Sequence, residues 1–394
     1  MMKDKTMDTY KRTGLVFVRG SGCVLEDEGG RKYLDFASGI GVNSLGHAYP
    51  ALVKAIADQA SRLIHVSNYY QTPEAAALSD ELCSVAGMDA VFLCNSGAEA
   101  NECAIKIARK WGEGRRNGEG SGGADRSVVV TLRGSFHGRT VTTLSATGQD
   151  KFHQHFAPLT PGFVHVPAND GEALKAALSD NVCALMLEPL QGEGGVVPLD
   201  DYYLRLASRL CAERGILLVA DEIQCGVGRT GTFFALDRLG LKPDVATLAK
   251  GLAGGVPIGV ALARGEAARA LGKGDHGTTF GGGPLAAAAA RVVLATITAP
   301  GFMDAVALKG SRMLAAIGSW NHPLVKDARG RGLMLGVVVS VPPDSIKALC
   351  MERGLLVLTA GEDVVRILPP LIVSDEEIDR GLAILRDALD AAKR

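Results

Sequence analysis

Nowhere do the 394 residues run apolar for long enough to span a membrane, and the opening stretch, MMKDKTMDTYKRTGLVFVRG, is polar and charged where a secretion signal needs an apolar core. A cytoplasmic protein is the expectation. Net charge is equally scarce: 42 lysines and arginines against 43 acidic residues leave −1, so no global field draws nucleic acid or an anionic membrane. Small molecules are the expected partners. None of the eight cysteines forms a CxxC pair, which argues against a zinc or disulfide framework and for small, reduced, apolar fillers. No internal repeat recurs along the chain.

What the chain does have is a globular balance of 47% hydrophobic and 22% charged residues and a regular alternation of short β-branched runs with alanine-rich stretches. The runs are AVFLC (90 to 94), SVVVTL (127 to 132), VCALML (182 to 187), ILLVA (216 to 220), DVATLA (244 to 249) and IGVALA (258 to 263). Apolar throughout rather than alternating, they fit strands of a mostly parallel sheet with helices on both faces, an α/β fold. GEGRRNGEGSGGADR (112 to 126) reads as a surface loop. After about residue 290 the pattern changes, with a helix from about Gly301 followed by LMLGVVV and VVRILPPL. This predicts a smaller domain of residues 291–394, joined by an N-terminal segment of residues 1–50 in which EDEGGRKY reads as a hairpin turn. Residues 51–290 form the expected large domain.

Ligands of open parallel sheets collect at the carboxyl ends of the strands, and here a polar group follows each of five runs: NSGAEANE, RGSFHGR, EPLQGEGG, DEIQ and Lys250. NSGAEANE opens a helix whose start, at Ser96, Gly97 and Ala98, suits a phosphate, although an ordinary N-cap explains it equally well. Asp221 ends an apolar strand, where a carboxylate is costly unless a cation answers it. Lys250 is the one charge in TLAKGLAGGVPIG. GVGRTG (226 to 231) matches a dinucleotide fingerprint, but it neither follows its strand directly nor opens an apolar helix, and it reads as a decoy. A lysine, an aspartate and a phosphate-binding helix start together are what pyridoxal 5′-phosphate requires: an amine for its aldehyde, a carboxylate for its ring nitrogen and amides for its phosphate.

Motifs along nearly the whole chain, among them YLDFASGIGVNSLGH, NSGAEANECAIKIARK, GSFHGRT, EPLQGEGGV, ADEIQCGVGRTG, PDVATLAKGLAGGVPIG, TTFGGGPLA and VRILPPL, resemble the class III, ω-type aminotransferases of the fold-type I pyridoxal-phosphate enzymes, and are most similar to their acetylornithine-using branch. The resemblance implies a large domain with a mostly parallel central sheet, plus a smaller α+β domain built from both chain ends. By the same resemblance Lys250 is the Schiff-base lysine and proton carrier, Phe136 stacks on the cofactor ring, Gln224 meets the ring hydroxyl, and Thr279 reaches the phosphate of a neighbouring subunit in a homodimer with shared active sites. Thr278 is expected near the substrate and Arg139 on its carboxylate. Glu193 and Arg366 match a pair that opens to admit the α-carboxylate of 2-oxoglutarate.

The reaction implied is transfer of the terminal amine of N2-acetyl-L-ornithine to 2-oxoglutarate, giving N-acetyl-L-glutamate 5-semialdehyde and L-glutamate, a step of arginine biosynthesis. Ornithine, succinylornithine, succinyldiaminopimelate and 4-aminobutyrate stay open as donors, since an acyl or methylene difference is worth only ~1 to 3 kcal/mol in a pocket. An aminomutase of the same fold would keep Lys250 and Asp221 without needing a keto acid. Ala98 stands where threonine is common and Gly283 where asparagine is usual, which questions one loop hydrogen bond near the phosphate site. Ile40 stands where the ornithine-using branch carries tyrosine. His47 and His137 are expected to support loop packing, and His153 and His155 to bind no metal.

Overall fold

The computed structural model describes residues 5–116 and 126–393. Most of the glycine-rich loop, from 117 to 125, lies outside them. Seven strands form the central sheet: β1 (Ala90–Cys94), β2 (Val128–Leu132), β3 (Phe163–Val166), β4 (Val182–Leu187), β5 (Leu217–Asp221), β6 (Val245–Leu248) and β7 (Gly259–Ala263). Their order is β1-β7-β6-β5-β4-β2-β3. Only β7 runs antiparallel to its neighbours.

The six runs that read as strands all appear in this sheet, and the central β4 and β5 are buried along their whole length. The seventh strand, β3, lies at the edge, and its mixed exposure, with Val164 solvent-facing, leaves no continuous apolar run to find. Helix Gly97–Arg116 covers one face of the sheet. Its Cys103, Ala104, Ile107, Ala108 and Trp111 recur at helical spacing and pack on Val129, Met186, Val219 and Ala261. Because the helix starts three residues after β1 ends, its N-terminus sits at the same sheet edge as the ends of β5 and β6.

The two chain ends share one small sheet. Strands Phe17–Ser21, Val24–Asp27 and Lys32–Asp35 form an antiparallel meander, and Lys32–Asp35 pairs in parallel with Leu355–Leu356. EDEGGRKY is the hairpin connection, with Gly30 at φ +79 where the turn reverses. A second four-stranded sheet contains Val325–Arg331, Met334–Val339, Leu358–Ala360 and Val364–Ile367. The division expected at residue 290 falls inside a continuous helix, Pro284–Ile297. Among the described residues no single helix is long and apolar enough to cross a membrane.

Candidate active site

The carboxyl ends of β1, β4, β5 and β6 converge on a cavity of about 420 Å³, lined by Ser96, Gly97, Ala98, Phe136, Arg139, Glu188, Glu193, Asp221, Gln224 and Lys250 among others. That volume suits a small cofactor with a substrate. The helix start contributes backbone N–H groups with no carbonyl one turn back to receive them. Gly97 gives a close fit there, since a Cβ would come to 2.9 Å from Ile223 side-chain carbons and that side chain would have to shift. Glu99, in the same first turn, is turned back to accept from the backbone and side-chain nitrogens of Asn95 at 2.6 and 2.8 Å.

Asp221 is 2% exposed and fully engaged on its inner side. Its Oδ2 accepts from Asn101 Nδ2 at 2.8 Å and lies 2.8 Å from His137 Nδ1, while Oδ1 accepts from the Ile223 amide at 3.1 Å. Asn101 in turn donates to the His137 carbonyl and receives Thr247 Oγ1, both at 2.7 Å. Three segments distant in sequence from Asp221, at Asn101, His137 and Thr247, thereby fix one carboxylate. Glu188, just beyond β4, is also buried, and its two oxygens take the amides of Phe136 at 2.8 Å and Gly192 at 3.1 Å. Burial, reinforced by the charge of Asp221, pushes its carboxyl up to about 7, against the pull of His137 and those two amides.

Lys250 follows β6 by two residues with φ +39, a left-handed conformation that a lysine rarely adopts. Desolvation in the cavity wall lowers its pKa, and the carboxylates of Asp221, Glu193 and Glu188 offset this only in part. The amine is therefore shifted toward its neutral, nucleophilic form. Across the cavity Arg366, 3% exposed, donates through Nη1 to Glu193 Oε1 at 2.7 Å and to Gln224 Oε1 at 3.0 Å. Arg139 lies over the rings of Phe136 and Phe152.

The family model described as "Aminotransferase class-III" matches residues 6–389. The chain belongs to the class-III aminotransferases. Acetylornithine aminotransferase of Gloeobacter violaceus is 52% identical over 96% of this chain and 94% of its own length, and that of Methanocaldococcus jannaschii 44% over 98% and 96%. Among solved structures, ornithine aminotransferase of Toxoplasma gondii superposes with a TM-score of 0.93 at 33% identity over 99% of this chain and 93% of that one. N-acetylornithine aminotransferase of Stenotrophomonas maltophilia gives 0.84 at 39% over 98% of both.

In this aminotransferase ten of the twelve residues singled out from sequence meet at one place. Nine line the cavity, and Arg366 adjoins it through Glu193 and Gln224. Thr278 and Thr279 do not line it. Thr278 Oγ1 accepts from Asn95 Nδ2 at 3.1 Å, and Thr279 is exposed beside a separate groove with Asn68 and Gly281. Ile40 is exposed and absent from the cavity wall, where Val42 stands instead. The sequence reading gave no site role to Glu188, Asn101 and Thr247, and it assigned His137 to loop packing. His137, its side chain wholly buried, also contacts Asp221. Glu188 carried the same signal as Asp221, a carboxylate directly after an apolar strand. GVGRTG forms a turn in which Arg229 donates to the carbonyls of Leu333 and Pro369, tying the large sheet's loops to the C-terminal strands. Among the described residues no group of three His, Cys, Asp or Glu side chains could hold a metal ion.

Proposed function

We propose that the chain is a pyridoxal 5′-phosphate-dependent acetylornithine aminotransferase, moving the terminal amine of N2-acetyl-L-ornithine to 2-oxoglutarate with release of N-acetyl-L-glutamate 5-semialdehyde and L-glutamate. The observation that carries this reading is the contrast between the two arginines at the cavity. Among the described residues Arg139 has no carboxylate partner, whereas Arg366 is covered by Glu193 at 2.7 Å. One open reader and one covered reader suit a donor that offers a single carboxylate far from its reacting amine and an acceptor that offers two. The acetylornithine aminotransferases among its relatives support the same donor.

The residues present fit the cofactor. Asp221, held in place by Asn101 and His137, would hold a protonated ring nitrogen. Phe136 would cover the ring, Gln224 would meet its hydroxyl, and the helix start at Ser96, Gly97 and Ala98 would take its phosphate. When bound, this cofactor supplies an electron sink for the charge left as a proton leaves the substrate carbon. Lys250 Nζ, kept toward its neutral form by burial, would hold the cofactor through its aldehyde and would carry that proton. Glu193 moves off Arg366 when a dicarboxylate arrives. Thr279, exposed and away from its own cavity, serves the partner's phosphate site in a homodimer.

The test is to load the purified protein with pyridoxal 5′-phosphate and follow glutamate formation from 2-oxoglutarate with each ω-amine. N-acetylornithine should give the highest kcat/KM. Glutamate formed only from ornithine or 4-aminobutyrate would move the donor assignment, and turnover of an amine without any keto acid would place the chain among the mutases.

A further inference from the structure

Arg139 forms part of the cavity wall and is exposed. Among the described residues its guanidinium makes no hydrogen bond and no ion pair. A long, unpaired arginine at a surface normally samples many rotamers, and the entropy of ordering it would be charged against substrate binding. Here two rings stand in for a polar partner. The Arg139 Cζ lies 4.2 Å from the centroid of Phe152 and 5.4 Å from that of Phe136, and the rings meet edge to face at 5.7 Å.

Phe152 is itself held from both sides. It closes the turn Asp150–Phe152. Before the turn, Gln149 Nε2 donates to the carbonyls of Ser135 at 3.0 Å and Gly134 at 3.3 Å, on the loop that carries Phe136. After it, His153 Nε2 lies 2.8 Å from the Thr147 carbonyl and 3.0 Å from that of Leu144. The exposed Lys151 ammonium also approaches the ring, at 5.0 Å, but stands further off than Arg139. Phe152 does not line the cavity, so any influence on substrate passes through Arg139.

We propose that Phe152 is a positioning residue for substrate recognition: its ring fixes the Arg139 guanidinium at the cavity while leaving every N–H donor free for a carboxylate. A carboxylate in that place would hold the arginine more firmly, but substrate would have to displace it, as at Arg366. An aromatic face orients the cation without competing for its donors. The two arginines therefore differ in kind, one always open and one opened on demand. This assignment deepens the proposed function and rests on it for the identity of the donor.

The test uses the cofactor-loaded enzyme with Phe152→Leu and Phe152→Tyr, and Phe152→Met should the leucine variant prove unstable. Calorimetric binding of glutarate, an unreactive dicarboxylate, is measured beside kinetics with N-acetylornithine and with N-acetyl-1,4-diaminobutane, the same donor without its carboxylate. In Phe152→Leu the glutarate Kd and the N-acetylornithine KM should rise roughly 3- to 30-fold, the range a lost cation–π contact spans. The kcat and the kinetics of the decarboxylated amine should stay as in the parent, and Phe152→Tyr should restore all values. Unchanged glutarate binding in the leucine variant, equal loss on both amines, or no glutarate binding by the parent would each overturn the proposal. A parent that binds glutarate but ignores N-acetylornithine would remove the donor assignment alone, and the glutarate arm would still decide the role of Phe152.

Discussion

At the scale of single residues, the site concentrates groups that are costly to keep where they are. Lys250 carries a positive φ of +39, a backbone state that costs a non-glycine residue about 1–3 kcal/mol and persists only where the surrounding fold over-determines it. Its amine is desolvated as well. Glycine at this position would relieve the backbone and lose the chemistry, which is the trade expected at a functional site. Replacing Lys250 with alanine should leave the helix start, Asp221 and Phe136 in place, so the cofactor should still bind. It should no longer stay covalently attached, and turnover should vanish. Borohydride reduction followed by mass measurement reads the attachment directly: a cofactor-mass adduct on the parent and none on Lys250→Ala. Full activity in the variant would end the role given to Lys250.

At the scale of elements, Glu188 links two loops that leave the sheet at different strands, by accepting one amide from each. The loop after β2 carries Phe136 and Arg139, and the loop after β4 carries Glu193. Because burial holds its folded pKa near 7 against an ordinary value of 4.5, the folded state binds this proton more tightly than the unfolded chain does. Its penalty is absent below about pH 4.5 and grows as pH rises toward 7, to a ceiling of about 3 kcal/mol. Glu188→Gln imitates the protonated carboxyl and cannot ionise. In denaturant titrations from pH 5 to 8 the parent should therefore lose stability more steeply than the variant, and parallel curves would place the Glu188 titration outside this window.

The same elements show what a sequence can and cannot disclose. Strands β4 and β5 are buried on both faces, so their apolar runs are continuous and plain. Strand β3 is a four-residue edge strand with Val164 exposed and only Val166 buried, and His165 interrupts its apolar residues, so it left no such run. Asp221 and Lys250 were legible because a charge at the end of an apolar strand is improbable without a purpose. The contacts of His137 were not, because its partner Asp221 lies 84 residues away in sequence and no local pattern records a hydrogen bond across the sheet. Arg229 shows the reverse case. A glycine-rich motif that imitates a nucleotide loop is here a turn that holds two parts of the fold together.

At the scale of the whole molecule, Thr279 is the residue whose position is hardest to explain within one chain. It is exposed, it lies in a groove with Asn68, Gln71 and Gly281, and it does not touch the cavity that Lys250 lines. Exposed apolar side chains gather in the neighbouring segments, Ile64, Tyr69, Tyr70 and Phe280, as a face that is covered by a second copy would show. If Thr279 completes the phosphate site of that copy, two defective chains can repair one another. A dimer pairing Lys250→Ala with Thr279→Ala holds one site with both residues native and one with neither. Mixing the two variants in equal amounts, with subunit exchange, should thus restore activity at limiting cofactor to roughly a quarter of the parent's. If Thr279 acts within its own chain, every site in the mixture lacks one of the two residues, and the activity stays at that of the Thr279→Ala chains present, in whichever dimer they sit.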